Sequence, residues 1–242
     1  MPSVLKYCAP KDHYFETLYR NQINLSHPRY LNDEYELADY LIEPYKDFCE
    51  AINWKADLKA FFDDQAIGSF TNSETPTNDT LWERYADNFH GFAVEYDKDV
   101  LTEGLFNQYV RPYHLQDVEY MDQRLNLDDF GIKFTVKNQT YTIQKCIEKK
   151  SEGDYKLLDG LFCYLRLIKE RNLWQGEDES RIIIGNRNLN RSKYLHPNQY
   201  GYTLDLPPGT IKAIFIGENM SRHDRVRLLC IARHNNIPCK AL

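Results

Sequence analysis

Glu177 and Glu179 stand two residues apart in the stretch LWQGEDESRIII, Leu173 to Ile184, with Arg181 two residues further on and three isoleucines behind it. The β-branched run ESRIII reads as a strand. Side chains alternate between the faces of a strand, so Glu177, Glu179 and Arg181 fall on one face and Asp178, Ser180 and Ile182 on the other. Two carboxylates on one face are either a charge ladder closed by Arg181, because buried carboxylates are usually paired, or a pair aimed at something that wants negative charge. Trp82 and Tyr85, three apart on what reads as a short helix, could stack on a flat ring or simply fill a core.

The surrounding chain reads as an intermixed series of strands and helices. SVLKYC opens as a strand, a helix follows Pro10, and QINLSH is a second strand. Pro28 and Pro44 interrupt helical spacing, which predicts a loop and then two helical pieces reaching about Phe62. QAIGSFTN is a buried strand. Thr80 and Glu83 have the spacing of a capping box for the helix TLWERYADN, and HGFAVEYD is the next strand. The chain is extended from Val110 to Tyr120, IKFTVKNQTYTI is a hairpin turning at Lys137 to Gln139, and one long helical segment covers about 144–170. The last third runs SRIII, YGYTLDL and IKAIFIG as strands, SRHDRVRLLCIARHNN as a helix and PCKAL as a strand. No regular βαβ repeat appears, so the class is α+β.

The 242 residues suffice for one core with no low-complexity divider, so 1–242 is expected to be a single domain. Neither a bilayer-spanning apolar run nor a signal-peptide layout is present, which predicts a soluble, cytoplasmic protein without a membrane partner. Six scattered cysteines lack zinc or redox spacing and are expected to be reduced and buried. The seven histidines do not cluster, and no metal is expected. A formal charge of −6 argues against a surface built mainly for nucleic-acid backbones. The one route to nucleic acid is the basic loop of Arg187, Arg191 and Lys193, which reads more simply as solvated.

Walker, GxGxxG, HExxH and GxSxG motifs are all absent. What remains is an ordered set of segments: LKY (Leu5 to Tyr7), LNDEYE (Leu31 to Glu36), GSFT (Gly68 to Thr71), LWERYADNFHGFAVEYD (Leu81 to Asp97), LIKERNLWQGEDESRI (Leu167 to Ile182) and IKAIFIG (Ile211 to Gly217). In order and spacing they resemble the bacterial domain of unknown function family 2971, most specifically in W-x-x-Y-A-D-N-x-x-G-F. Glu34 of LNDEYE replaces a proline of the family's corresponding segment, and Glu83 and Arg84 stand where the family has Ser-His.

A more distant resemblance is to the ADP-ribosyltransferase fold, with a short opening strand, a central Ser/Thr strand and a late Glu-x-Glu strand. It implies a pair of small mixed sheets with a helical insertion, and NAD as co-substrate. Lys6 or Tyr7 would take the place of the usual first-strand arginine, Ser69 and Thr71 the second strand, Glu177 and Glu179 the third. Glu179 would stabilise positive charge on ribose, Glu177 would position or deprotonate the acceptor, and Lys6, Tyr7, Ser69, Thr71, Trp82, Tyr85 and Arg181 would contact NAD. The implied protein is a mono-ADP-ribosyltransferase-like enzyme of the bacterial toxin or phage-defence kind. The alternative is a non-catalytic module binding a nucleotide or peptide in the same groove.

Overall fold

Short apolar runs punctuated by asparagine, proline and glycine become short elements in the computed structural model, which describes residues 2–31, 33, 36–73, 75–102, 115–136, 139–185, 189 and 192–242, with Gln175 described in its backbone alone. β1 (Ser3–Cys8), α1 (Asp12–Tyr19) and β2 (Gln22–Ser26) open the chain. A 3-10 turn at Pro28–Tyr30 precedes α2 (Ala38–Leu41), α3 (Lys46–Ala51) and α4 (Ala56–Asp63), which lead into β3 (Ala66–Thr71). Next come α5 (Asp79–Tyr85), β4 (Phe92–Asp97), β5 (Gln116–Asp117), β6 (Glu119–Met121) and the hairpin of β7 (Lys133–Val136) and β8 (Gln139–Thr142). α6 (Ile143–Ser151), α7 (Lys156–Leu165), β9 (Ile168–Glu170), α8 (Arg171–Trp174) and a 3-10 turn at Gln175–Glu177 carry the chain to β10 (Glu179–Ile184). β11 (Leu195–Asn198), β12 (Gly201–Asp205), β13 (Ile211–Ile216), a C-terminal helix (Arg222–His234) and β14 (Cys239–Ala241) complete it.

The mixture is α+β. Ten strands connect in the order β11-β12-β2-β3-β1-β4-β13-β14, with β10 on β3 and β5 on β10, and two further two-stranded ribbons stand apart. The two halves are held together at β3 by single pairings. β3 meets β1 only at Leu5↔Thr71 and β2 only at Ser26↔Ile67, whereas it pairs with β10 along six positions, from Glu179↔Thr71 to Ile184↔Ala66. Between its two single contacts β3 diverges from its inner neighbours, and a cleft opens there. Lys6 Nζ donates across the opening to the Ser69 carbonyl at 3.2 Å.

Two cores flank this split. The larger packs β1, β2, β4, β12 and β13 against α1 and the C-terminal helix, with Phe15, Leu25, Phe92 and Leu228 buried. The second is helical, gathering Phe48, Phe62, Ile143, Leu161 and Phe162 from α3, α4, α6 and α7 with Phe134 of the hairpin. The long helix expected over 144–170 is two helices and a strand. Gly153, with φ +84°, ends α6 in a Schellman motif in which Gly153 N–H donates to Lys150 O and Asp154 N–H to Lys149 O. Asn53 at φ 50° closes α3 in the same way, so three helices stand where two were expected before Phe62. The cap of α5 is Asn78, whose side chain accepts from Leu81 N–H, in place of the expected box at Thr80. The hairpin's partners match expectation, although its turn at 137 and 138 lies outside the described residues, as do residues 110–114 of the extended run from Val110, whose remainder holds β5 and the start of β6.

The W-x-x-Y-A-D-N-x-x-G-F segment has a structural cause at Asp87, Asn88 and Gly91. Asp87, Asn88 and Phe89 are consecutive left-handed residues (φ 52°, 51° and 66°), and Asp and Asn tolerate that region best. Gly91 then brings β4 against β1 so closely that a Cβ would lie 2.0 Å from the Cys8 carbonyl oxygen. Gly91→Ala is expected to cost ~1–3 kcal/mol, read as a lower urea midpoint at unchanged m-value.

Candidate functional site

The cleft at β3 has a volume of about 160 Å³. Lys6 and Tyr7 reach it from β1, Ser69 and Thr71 from β3, Tyr85 from α5, Glu177 from the 3-10 turn, and Glu179 and Arg181 from β10. Tyr30, Leu31, Asp33 and Glu36 form one wall, and Lys169 and Trp174 another. Glu177 is not part of the strand, as expected, but of the turn before it. Asp178, left-handed at φ 42°, re-aims the chain, and Thr71 Oγ1 donates to Glu177 O at 2.8 Å, so Glu177 still faces the cleft beside Glu179.

Arg181 is the centre of the charge arrangement. It is buried, and its five N–H donors all have acceptors. Nε and Nη2 donate to Glu179 at 2.6 and 3.1 Å, Nη1 and Nη2 to Glu36 at 2.8 and 2.6 Å, and Nη1 also to Arg166 O at 2.7 Å. Lys169 Nζ then bridges the two glutamates, 2.8 Å from Glu179 and 3.2 Å from Glu177. Glu177 also accepts from Arg84 at 3.0 Å and from the Tyr85 hydroxyl. Three carboxylates thus alternate with three cations, and Trp174 lies against two of them, 4.5 Å from Lys169 and 5.4 Å from Arg84.

Burial alone would push the Glu179 carboxyl up; the adjacent Arg181 and Lys169 charges outweigh it and hold it at about 2. Glu179 is therefore an anion at neutral pH and accepts hydrogen bonds without donating them. A carboxyl lowered on folding stabilises the fold above its ordinary pKa of ~4.3 and loses that contribution as pH falls. Melting temperature is accordingly expected to drop as pH falls from about 4.5 toward about 2. Glu179→Gln should lack that component.

Trp82 corrects the list of ligand contacts. It is fully buried, its indole N–H donates to Pro76 O at 2.7 Å, and its ring meets Tyr7 edge-on at 5.2 Å and Phe89 in a stack at 5.6 Å. Both the polar handle and the ring are used inside the fold, because α5 lays its apolar side on β1 and β4. Tyr85 does line the cleft, with its hydroxyl given to Glu177. Lys6, Tyr7, Ser69, Thr71, Glu177, Glu179 and Arg181 converge as well.

Glu36, Arg84, Lys169 and Trp174 complete the site although no role was read for them from sequence. The signal was charge balance: three glutamates gathered away from water require three cations. Of the basic loop, Arg187 and Arg191 lie outside the described residues, and Lys193 rests on the Tyr194 ring at 4.9 Å. All six cysteines are unpaired; Cys8, Cys146 and Cys163 are buried as expected, whereas Cys49 and Cys239 are half-buried and Cys230 is exposed on the outer face of the C-terminal helix. Among the described residues no group of His, Cys, Asp and Glu is placed to hold a metal ion, and no helix is long and apolar enough to cross a membrane.

The family model described as Protein of unknown function (DUF2971) matches residues 81–182, from α5 into β10. That span holds Tyr85, Lys169, Trp174, Glu177, Glu179 and Arg181 of the cleft. No curated protein and no solved structure matches the chain.

Proposed function

We propose that this chain, whose residues 81–182 match the DUF2971 family model, is an ADP-ribosyltransferase-like enzyme that binds NAD in the β3 cleft and cleaves its nicotinamide–ribose bond. The observation that carries the reading is convergence: side chains from β1, β3, α5, the 3-10 turn and β10, spread from Lys6 to Arg181, line one cavity. A split between the opening strand and a central Ser/Thr strand, with the Glu-x-Glu strand beside the latter, supports the same fold assignment.

Breaking the bond leaves nicotinamide with the electron pair and builds positive charge on the ribose. Glu179, ionised and immobilised by Arg181 and Lys169, presents negative charge to that sugar and accepts from its hydroxyls. Glu177, bridged to it through Lys169, positions the group or water that captures the ribose. The cavity is small against the ~300–1,000 Å³ of a typical whole-ligand pocket, so it receives the ring-and-sugar end, and the rest of the dinucleotide extends outside.

One observation favours a second reading, a non-catalytic nucleotide- or peptide-binding module. The carboxylates are already neutralised by Arg181, Lys169 and Arg84, which reduces the field a bound sugar would experience. Titration calorimetry with NAD, followed by chromatography of released nicotinamide, separates the two. Binding with release supports the enzyme, binding without release supports the module, and neither removes NAD from the site.

A further inference from the structure

We infer that Lys6 is an amine nucleophile that forms an imine with the carbonyl carbon of a small hydroxyaldehyde entering the β3 cleft. Lys6 differs from the other cations of the cleft. Arg181, Lys169 and Arg84 each contact at least one carboxylate, whereas among the described residues Lys6 forms no ion pair. Its hydrogen bond is to a neutral acceptor, the Ser69 carbonyl, and its Nζ lies 5.6 Å from the Phe70 ring centre.

The titratable groups around it leave it little reason to hold its proton. Cys8 follows on the same strand, and Tyr14 of α1 and Tyr96 of β4 border the same side of β1. Burial pushes all three up, Cys8 to about 12, so each is neutral at physiological pH. Glu179 and Glu36 are tied to Arg181 and Glu177 to Arg84 and Lys169, while Asp33 also lines the cleft. Burial is the largest influence on Lys6 and lowers its pKa, with the Glu179 carboxylate among the charges opposing it. A desolvated lysine facing a cavity is the form in which an amine attacks a carbonyl.

The nitrogen lone pair attacks the carbonyl carbon while the C=O π electrons move to oxygen. The ammonium proton so formed passes to that oxygen, giving a carbinolamine. One further proton, taken up from solvent, lets the hydroxyl leave as water and leaves the protonated imine. No oxidant or cofactor is consumed. A hydroxyaldehyde is the class that fits, because Glu179 can only accept hydrogen bonds and the volume, about 160 Å³, suits a small sugar fragment.

The test is reductive trapping on the full chain with glyceraldehyde and sodium cyanoborohydride near pH 7, followed by peptide mapping. Lys6 is expected to be labelled at least severalfold faster than the exposed Lys55 and Lys133, since a lowered pKa leaves more of the amine neutral near pH 7. The fast phase in intact mass should vanish in Lys6→Arg, which keeps a long basic side chain without a primary amine, while the slow surface phase persists. Labelling of Lys6 no faster than Lys55, or a fast phase that survives Lys6→Arg, overturns the inference. Mapping the unmodified sequence requires no variant to fold. The outcome is independent of NAD cleavage: trapping without nicotinamide release sinks only the NAD reading, and release without trapping sinks only this one.

Discussion

Arg181→Ala is expected to lower folding stability by about 3–5 kcal/mol, the scale observed when one partner of a buried ion network is removed. In a chain of this size that is a fall in melting temperature of roughly 10 °C. The cause is what stays behind. Glu36 and Glu179 lose four hydrogen bonds between them, and the Arg166 carbonyl loses a fifth. Both glutamates are buried, so their freed oxygens gain few new partners. Lys169 can compensate only Glu179. A second variant separates charge from packing: Arg181→Met with Glu36→Gln and Glu179→Gln removes the stranded charges and should recover much of the lost stability, because a buried network replaced as a unit is often nearly neutral. Equal stability of Arg181→Ala and the unsubstituted chain in a thermal melt would show the network to be hydrated and unimportant to the fold.

This network marks where sequence reading stopped. β1, β3, β4, β10 and β13 were legible because each is a short β-branched or aromatic run ended by polar residues, and their pairing partners brought the expected cleft residues together. Glu179 to Arg181 was legible as a pair because strand alternation alone puts them side by side. Glu36 to Arg181 was not, since the partners are separated by 145 positions and nothing local in LNDEYE distinguishes a buried carboxylate from a solvated one. Helix ends failed for a related reason. Asn53 and Gly153 end their helices by taking up left-handed conformations that fit the amphipathic pattern on both sides, so a periodic reading runs straight through them. Trp82 was misplaced because an aromatic on a short helix has the same spacing whether it faces a ligand or a core, and only the Pro76 carbonyl that accepts its N–H decides between them.

Glu179→Gln is expected to reduce nicotinamide release by ~10²-fold or more, the loss typical of one preorganised electrostatic contact. The amide preserves shape but carries no charge, and one of its ends is now a donor. That donor faces Arg181 and Lys169, which themselves only donate, so the substitution also lowers the melting temperature. The two effects separate by temperature and by position. Turnover is measured well below the melting transition, with NAD affinity determined on the same preparation, and Glu177→Gln is carried alongside. Glu177 shares Lys169 but also has Arg84 and Tyr85, so its amide should disturb the capture of ribose more than bond cleavage. In the enzyme reading, Glu179→Gln loses release of nicotinamide with affinity nearly unchanged, whereas Glu177→Gln retains more release and alters the partition between acceptor and water. If Glu179→Gln lowers stability while a wild-type activity toward NAD persists undiminished, Glu179 acts as structure and the chemistry belongs elsewhere in the cleft.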